Sequence, residues 1–450
     1  MLIKNKEILI KNGGEEFFKE RELLLDGIEL ALKEVSPKKS IFKNVRLSKS
    51  LLIVKDKVYN LNQFNHIYLA GFGKASIKMT EALLSLVKID EGVVVSNVDF
   101  NGFNSRIKYI KGGHPIPDEG SIAAGRKVLN LLEKIEEDDL LFVLISGGGS
   151  SLLEYPLVSL EDLKETTKLL LSSGASIDEI NVIRKHLSLL KGGKLLKRCK
   201  GRVISLIISD VVFDSLDTIA SGPTYFDSST FRDAMDVILK YGLINKIPES
   251  VKEIIYKGMD GEVEETLKEN DESLNRVDNF LVATNYDLCI ELKNYFDKKG
   301  INSVYLGSSI QGEAREVAEV FGGINWDIYH GHTDFKKPLV LIFGGETTVT
   351  VKGNGKGGRN QELSLALSPY LSETRSLFVS FGTDGIDGNS PSAGAICDSN
   401  TIKRARNLGL DYRVFLDNND SFTFFSKLND VVITGPTGTN VMDVMLLFTL

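Results

Sequence analysis

The sequence predicts an α/β protein, and three observations predict it. Short apolar runs rich in β-branched and aromatic residues recur at 66–70, 92–96, 140–145, 203–209, 280–284, 339–343, 376–381 and 431–434. They are continuous rather than alternating, as in strands buried on both faces. Helical patterns lie between several of them, at 75–88, 120–136, 159–173, 176–191, 285–299 and 313–322, which favours βαβ crossovers and a parallel sheet. Most of the runs also end in a glycine or small-residue turn, and in open α/β sheets the ligand crevice lies at the carboxyl ends of the strands.

Ahead of this pattern, residues 15–35 place Phe17, Leu23, Leu24, Ile28 and Leu32 at helical spacing among Glu and Lys, an amphipathic helix. The run 66–70 leads into Gly71-Phe72-Gly73-Lys74-Ala75-Ser76, which opens a helix. Backbone N–H groups there can face an anion with the helix dipole behind them, and Lys74 adds a point charge. The other reading is an ordinary βα turn with a solvated lysine. After 140–145 comes Ser146-Gly147-Gly148-Gly149-Ser150-Ser151, where three glycines let several N–H donors line one concavity without a Cβ in the way. Neither loop, nor Gly353-Asn354-Gly355-Lys356-Gly357-Gly358, has the spacing of a P-loop.

Ser176-Ile177-Asp178-Glu179 is a capping box for a helix running to Gly192-Gly193. Its apolar stripe, Ile180, Ile183, Leu187 and Leu190, leaves Arg184, Lys185 and Lys191 on the other side, either a solvated face or a set of anion ligands. His186, without a partner in register, reads as structural. Asp210 follows the run 203–209, placed to accept a proton, to hold a metal or simply to cap a turn. Gly382-Thr383-Asp384-Gly385-Ile386-Asp387-Gly388 sets two carboxylates three residues apart, candidates for Mg²⁺ or for turn formation. Gly344-Gly345-Glu346-Thr347 is a glycine turn after a strand, and Arg359 opens a helix whose dipole favours anions, a placement that a shared anionic ligand would explain. His330 and His332 lack a third ligand and read as solvated.

Composition narrows the class. The 450 residues carry 54 Lys+Arg against 61 Asp+Glu, a net −7 with the signs mixed along the chain, which argues against a nucleic-acid binder. Three widely separated cysteines argue against a disulfide framework, and the absence of a long apolar stretch argues for a cytoplasmic protein. The 41 glycines against 10 prolines belong to the strand-end turns rather than to linkers. The charged stretch 245–279 reads as the transition between two domains.

In order along nearly the whole chain, the segments 71–76, Gly112-Gly113-His114-Pro115-Ile116-Pro117-Asp118, 146–151, Ile208-Ser209-Asp210-Val211, Ser221-Gly222-Pro223-Thr224, 344–347, Gly358-Arg359-Asn360-Gln361-Glu362 and 382–388 resemble the class II glycerate kinases. The resemblance implies a Rossmann-like N-terminal domain with a largely parallel sheet over 1–265. A smaller α/β domain of the MOFRL type follows over 275–450, its last residues packing back on the first, with the active site in the interdomain cleft. It also implies phosphorylation of D-glycerate by ATP with Mg²⁺ to 2-phosphoglycerate, in a non-phosphorylative Entner–Doudoroff type of route, by an enzyme with small-molecule substrates and a possible homodimer. Lys74 and Arg359 match lysine and arginine residues regarded as active-site groups in the family.

The expected roles are as follows. Lys74, Asp210 and Arg359 are catalytic; Gly73, Ser146, Gly147, Gly148, Gly149, Ser150, Arg184 and Glu346 bind substrate or phosphate; Asp384 and Asp387 hold metal. Alternatives are a glycerate 3-kinase, a hydroxypyruvate reductase and a non-catalytic sensor of a small phosphorylated acid. The reductase would need a ribose-binding acid about 20 residues beyond the first glycine loop. Only Asp90 and Glu91 stand near that position, before rather than after the 93–96 run.

Overall fold

The computed structural model describes residues 2–450, which divide into two compact units, 37–282 and a second made of 2–36 with 283–450. The first unit begins with a small antiparallel sheet of β1 (Val45–Ser48), β2 (Leu51–Val54) and β3 (Lys57–Asn60). Its main sheet contains β4 (Ile67–Phe72), β5 (Glu91–Ser96), β6 (Ile107–Lys111), β7 (Leu140–Ile145), β8 (Arg202–Ile208) and β9 (Val277–Ala283), in the order β6-β5-β4-β7-β8-β9. The pairs from β6 through β8 are all parallel. The runs called strands by their unbroken apolar character are buried along almost their full length, β7 at every residue. They are central strands covered on both faces.

Strand order positions the site. From β4 the chain builds outward to β5 and β6, then returns to place β7 and β8 on the other side, so the order reverses between β4 and β7. That reversal opens a crevice at the carboxyl edge of the sheet. Registers are level: Phe72 pairs with Ile145 and Val95, Ile145 with Ile207, and Ser96 with Lys111. Five loops therefore leave the sheet at the same height.

A helical layer joins this unit as a satellite cluster, in which Ile183, Leu187, Phe231, Ile238 and Ile255 interdigitate. The predicted capping box of Ser176 and Glu179 is present, but the helix is Ile177–His186 and stops short of Gly192. The backbone peels away because Leu187 O accepts from Leu157 N and Leu189 N donates to Tyr155 O. Extended pairing replaces the last turn and a half.

The second unit has a mixed six-stranded sheet of β10 (Asn302–Ile310), β11 (Leu339–Gly345), β12 (Ser376–Gly382), β13 (Gly394–Asp398), β14 (Val431–Val432) and β15 (Asp443–Thr449). Its order is β10-β11-β15-β12-β13-β14, parallel only at β10/β11. Two expectations are corrected here. Residues 443–449, expected to pack back on the N-terminal domain, form a central strand of this sheet, every residue buried. Residues 2–36, expected in the first domain, also belong to this unit. The helix Gly14–Glu34 carries Arg21, fully buried and bonded to Asp398 and Asp430, and Gly27 lies against the rings of Tyr295 and Phe296. A buried guanidinium needs those carboxylates, and both come from the C-terminal half of the sequence. Among the described residues no helix is long and apolar enough to cross a membrane.

Candidate active site

At the reversal point the loops after β4 and β7 interlock. Lys74 N donates to Gly147 O at 2.9 Å, and Ala75 N to Ser146 Oγ at 3.0 Å. Gly73 has φ +118°, and a Cβ there would fall 2.2 Å from Ser146 Oγ. Glycine at 73 thus serves both backbone conformation and close approach. Ser146 is buried, and its hydroxyl accepts from Ala75 N, which ties the two loops together. The triplet Gly147–Gly149 is the floor of the crevice. A Cβ on Gly147 would lie 2.0 Å from Asp210 Oδ2, and one on Gly148 would lie 2.8 Å from the His114 ring and 3.4 Å from Lys74 Cγ. Lys74, His114 and Asp210, from three different strand ends, converge on bare glycine backbone. Gly147 and Gly148 N–H make no hydrogen bond among the described residues. Ser150 Oγ is 2.8 Å from Ser221 Oγ, which in turn donates to Asn181 Oδ1.

The basic side of helix 177–186 is not solvated. Lys185 bonds Asp227 at 3.2 Å, and Lys191 bonds Glu154 and Leu153 O. His186 bridges Val182 O and Glu265, the structural role expected of it. Arg184 differs: its guanidinium has no hydrogen bond or ion pair among the described residues, and its Nε is buried without a partner. Burial, offset in part by Glu154, lowers its affinity for a proton, yet an arginine stays charged. Lys74 Nζ likewise has no partner among the described residues. Two unpaired cations so placed call for an anion. Between them His114 is pushed down to about 4 by burial and then by Lys74 and Arg184, so its imidazole is neutral at physiological pH.

The loop that follows Asp210 is strained. Phe213, Asp214, Ala220 and Ser221 all have positive φ, and Phe213, at φ 65°, is 74% exposed. Such outliers cluster where function requires a fixed geometry.

In the second unit Arg359 opens the helix Arg359–Leu371. Its Nε and Nη2 bond Asp443, and its Nη1 lies 2.8 Å from Glu346. Burial opposes the charge, but those carboxylates outweigh it and hold the guanidinium more firmly protonated than usual. The arginine at a helix start is therefore balanced by acids within the chain. Asp387 is buried and accepts from Asn360 N and Gln361 N, and from both side-chain amides. It caps the helix, and burial pushes its carboxyl up to about 6 against those hydrogen bonds. Both oxygens of Asp387, expected with Asp384 to hold metal, are engaged by donors. Asp384 Oδ1 accepts from Ile386 N within its own turn. No group of three or more His, Cys, Asp or Glu side chains among the described residues is arranged to hold a metal ion.

Comparison with known proteins places this geometry. Residues 23–256 match a domain of unknown function, DUF4147, and residues 339–443 match the MOFRL family. A glycerate 2-kinase of Pyrococcus horikoshii is 42% identical over 429 residues, covering 95% of this chain and 96% of the relative. The chain belongs to the MOFRL-type glycerate kinases. A D-glycerate 2-kinase of Thermotoga maritima is also 42% identical, over 87% of this chain and 93% of its own. The crystal structure of a glycerate kinase from Thermotoga maritima superposes with a TM-score of 0.84 at 37% identity, covering 96% of this chain and 100% of that one.

Of the residues named from the sequence, Lys74, the glycine triplet and Asp210 come together in the first unit and Arg359 stands in the second; the sequence reading passed over His114 as a site group and Asp443 as the partner of Arg359. His114 was discoverable by the rule that found the others, since Gly112-Gly113-His114 is the turn at the carboxyl end of β6. Asp443 carries no local signal. The dinucleotide reading loses its anchor: Asp90 and Glu91 stand at the amino end of β5, where Asp90 accepts from Ile67 N and Glu91 pairs with Lys134.

Proposed function

We propose that this chain transfers the γ-phosphoryl group of ATP to the 2-hydroxyl of D-glycerate, giving 2-phosphoglycerate and ADP. The observation that carries the reading is the pair of unpartnered cations, Lys74 and Arg184, set around glycine backbone with the Asp210 carboxylate alongside. A hydroxy acid needs a cationic seat for its carboxylate and a carboxylate near its hydroxyl, and this crevice offers both. The glycerate 2-kinase names of relatives at 42% identity support the same substrate.

In this mechanism Arg184 holds the acceptor carboxylate, and Lys74 neutralises charge on the transferred phosphoryl group. Asp210 accepts the proton of the attacking hydroxyl as the new O–P bond forms. The N–H groups of Gly147 and Gly148 supply preorganised donors where charge develops. Such positioning and charge neutralisation are most of what phosphoryl transfer asks of a protein. Mg²⁺ arrives as the complex of ATP, as part of the substrate.

The test is a coupled assay with ATP, Mg²⁺ and D-glycerate followed by enolase, with and without phosphoglycerate mutase. Phosphoenolpyruvate from enolase alone is the expected result. Its formation only with mutase would mean the 3-phosphate, and no ATP consumption would end the kinase reading.

A further inference from the structure

Phosphoryl transfer as derived for this crevice uses Lys74, Arg184 and Asp210 and leaves His114 idle, although all four residues belong to the first unit and His114 stands among the other three. The turn that carries it is firmly built. Gly112 N donates to Ser96 O at the end of β5, and Gly113 N donates to Asp118 Oδ1 at 2.8 Å. Asp118 also forms a capping box with Ser121 at the start of the helix Glu119–Leu132, so the turn is tied to both a strand end and a helix start. The imidazole is held with its Cδ2–Nε2 edge against Gly148, where an added Cβ would lie 2.8 Å from Cδ2 and 3.1 Å from Nε2.

The state of the ring limits what it can bind. Neither ring nitrogen makes a hydrogen bond among the described residues. Asp118, the carboxylate of its own turn, accepts from Gly113 N and Ser121 N, so it does not pair with the imidazole to make it a base. Burial, then Lys74 and Arg184, keep the ring uncharged at physiological pH. A neutral imidazole carries one donor and one acceptor, which suits a hydroxyl better than a carboxylate or a phosphate. D-glycerate has three polar groups, a carboxylate and hydroxyls on two adjacent carbons. Arg184 takes the carboxylate and Asp210 the 2-hydroxyl, which leaves the 3-hydroxyl to be held. Asp210 meets the glycine loop at Gly147 and His114 meets it at the next residue, Gly148, so the two side chains serve neighbouring groups of one small molecule.

We infer that His114 Nε2 hydrogen-bonds the 3-hydroxyl of D-glycerate, fixing the non-reacting end of the acceptor while the 2-hydroxyl faces Asp210. His114 is then a specificity-determining residue, the one that separates a 2,3-dihydroxy acid from a plain 2-hydroxy acid. This inference rests on the kinase reading above and deepens it.

The test uses the full-length protein with D-glycerate as acceptor. D-lactate, which keeps the carboxylate and the 2-hydroxyl but has a methyl group in place of the hydroxymethyl, is the competitor. In the wild type D-lactate is expected to inhibit with a Ki at least about tenfold above the KM for D-glycerate. His114→Ala is expected to raise that KM about tenfold while the Ki for D-lactate stays within about twofold. His114→Gln, whose amide both donates and accepts, is expected to hold the KM within about threefold of wild type. A structural role would weaken both ligands alike, so equal shifts in KM and Ki overturn the assignment. So does an unmoved KM in His114→Ala, or a wild type that binds D-lactate as well as D-glycerate; wild-type turnover to 2-phosphoglycerate then leaves the kinase reading standing. No phosphorylation of D-glycerate by the wild type, or formation of the 3-phosphate, overturns both.

Discussion

His114 gives the sharpest check on the electrostatics of the crevice. Its ring touches the space above Gly148 and is flanked by Lys74 and Arg184, and it titrates at about 4 instead of the ordinary 6.5. A displacement of that size corresponds to about 3 kcal/mol between the two protonation states. Burial is the largest cause, with Lys74 and then Arg184 adding to it. The perturbations are Lys74→Met and Arg184→Gln, each removing one charge and keeping the stem. Each should raise the His114 midpoint by about half to one unit, and the double variant should still fall short of 6.5 because burial persists. The assay is a proton–nitrogen NMR titration of the five histidines, with His114→Gln to assign the resonance. The sign for stability is fixed as well. Since the folded midpoint lies below the unfolded one, the unfolded chain takes up this proton first, and stability falls as pH drops from about 6.5 toward 4, then levels off. Solvent screening of a half-buried ring brings the expected loss to about 1–2 kcal/mol. A wild-type midpoint near 6.5, or one that ignores both substitutions, would refute the placement of two unpaired cations around this ring.

Other outcomes follow from the same geometry. Lys74→Ala should lower kcat by about 100-fold or more, and Arg184→Gln should raise the KM for D-glycerate at least about tenfold; changes of threefold or less in steady-state kinetics would remove both from the site. Asp210→Asn should cost about 100-fold or more in kcat with D-glycerate binding retained, and a few-fold loss would transfer the proton-accepting role elsewhere. Phe213→Gly should raise the urea midpoint, by about 1 kcal/mol of relieved backbone strain, because the ring is 74% exposed and little packing is lost; a lower midpoint would show that the ring has contacts worth more than the strain. Arg21→Ala should destabilise the second unit by about 3 kcal/mol, seen as a lower thermal midpoint, since it removes the buried cation from between Asp398 and Asp430 and leaves them only Arg404.

The first unit was the more legible because its signal is local. A strand such as Leu140–Ile145 announces itself by six apolar residues in a row, and the glycine turn that follows it marks the edge where ligands bind. The second unit hides its topology. The strand Asp443–Thr449 has five apolar residues in a row, but it pairs antiparallel with β11 and β12, so a reading that sought βαβ units had no place for it. Residues 1–36 went to the wrong domain for a related reason. Arg21 sits on an amphipathic helix that would suit either unit, and the carboxylates that decide its place are 377 and 409 positions away in sequence.

The site residues divide along the same line between what spacing reveals and what pairing reveals. Helix 177–186 displays Arg184 and Lys185 as neighbours of equal charge, and nothing in the sequence says which one is free. Asp227 settles it by taking Lys185, which leaves Arg184 as the cation with work still to do. Asp387 poses the converse case. Its place in a glycine loop after a strand suits a metal ligand, but four donors from Asn360 and Gln361 converge on its two oxygens and turn it into a helix cap. In both cases the residue type and its spacing were right for function, and the deciding quantity was whether its hydrogen-bonding capacity had already been filled by a partner far along the chain. A cation or carboxylate at a strand end is therefore a site residue only to the extent that the fold leaves it unpaired, and in this chain Lys74 and Arg184 meet that condition among the described residues.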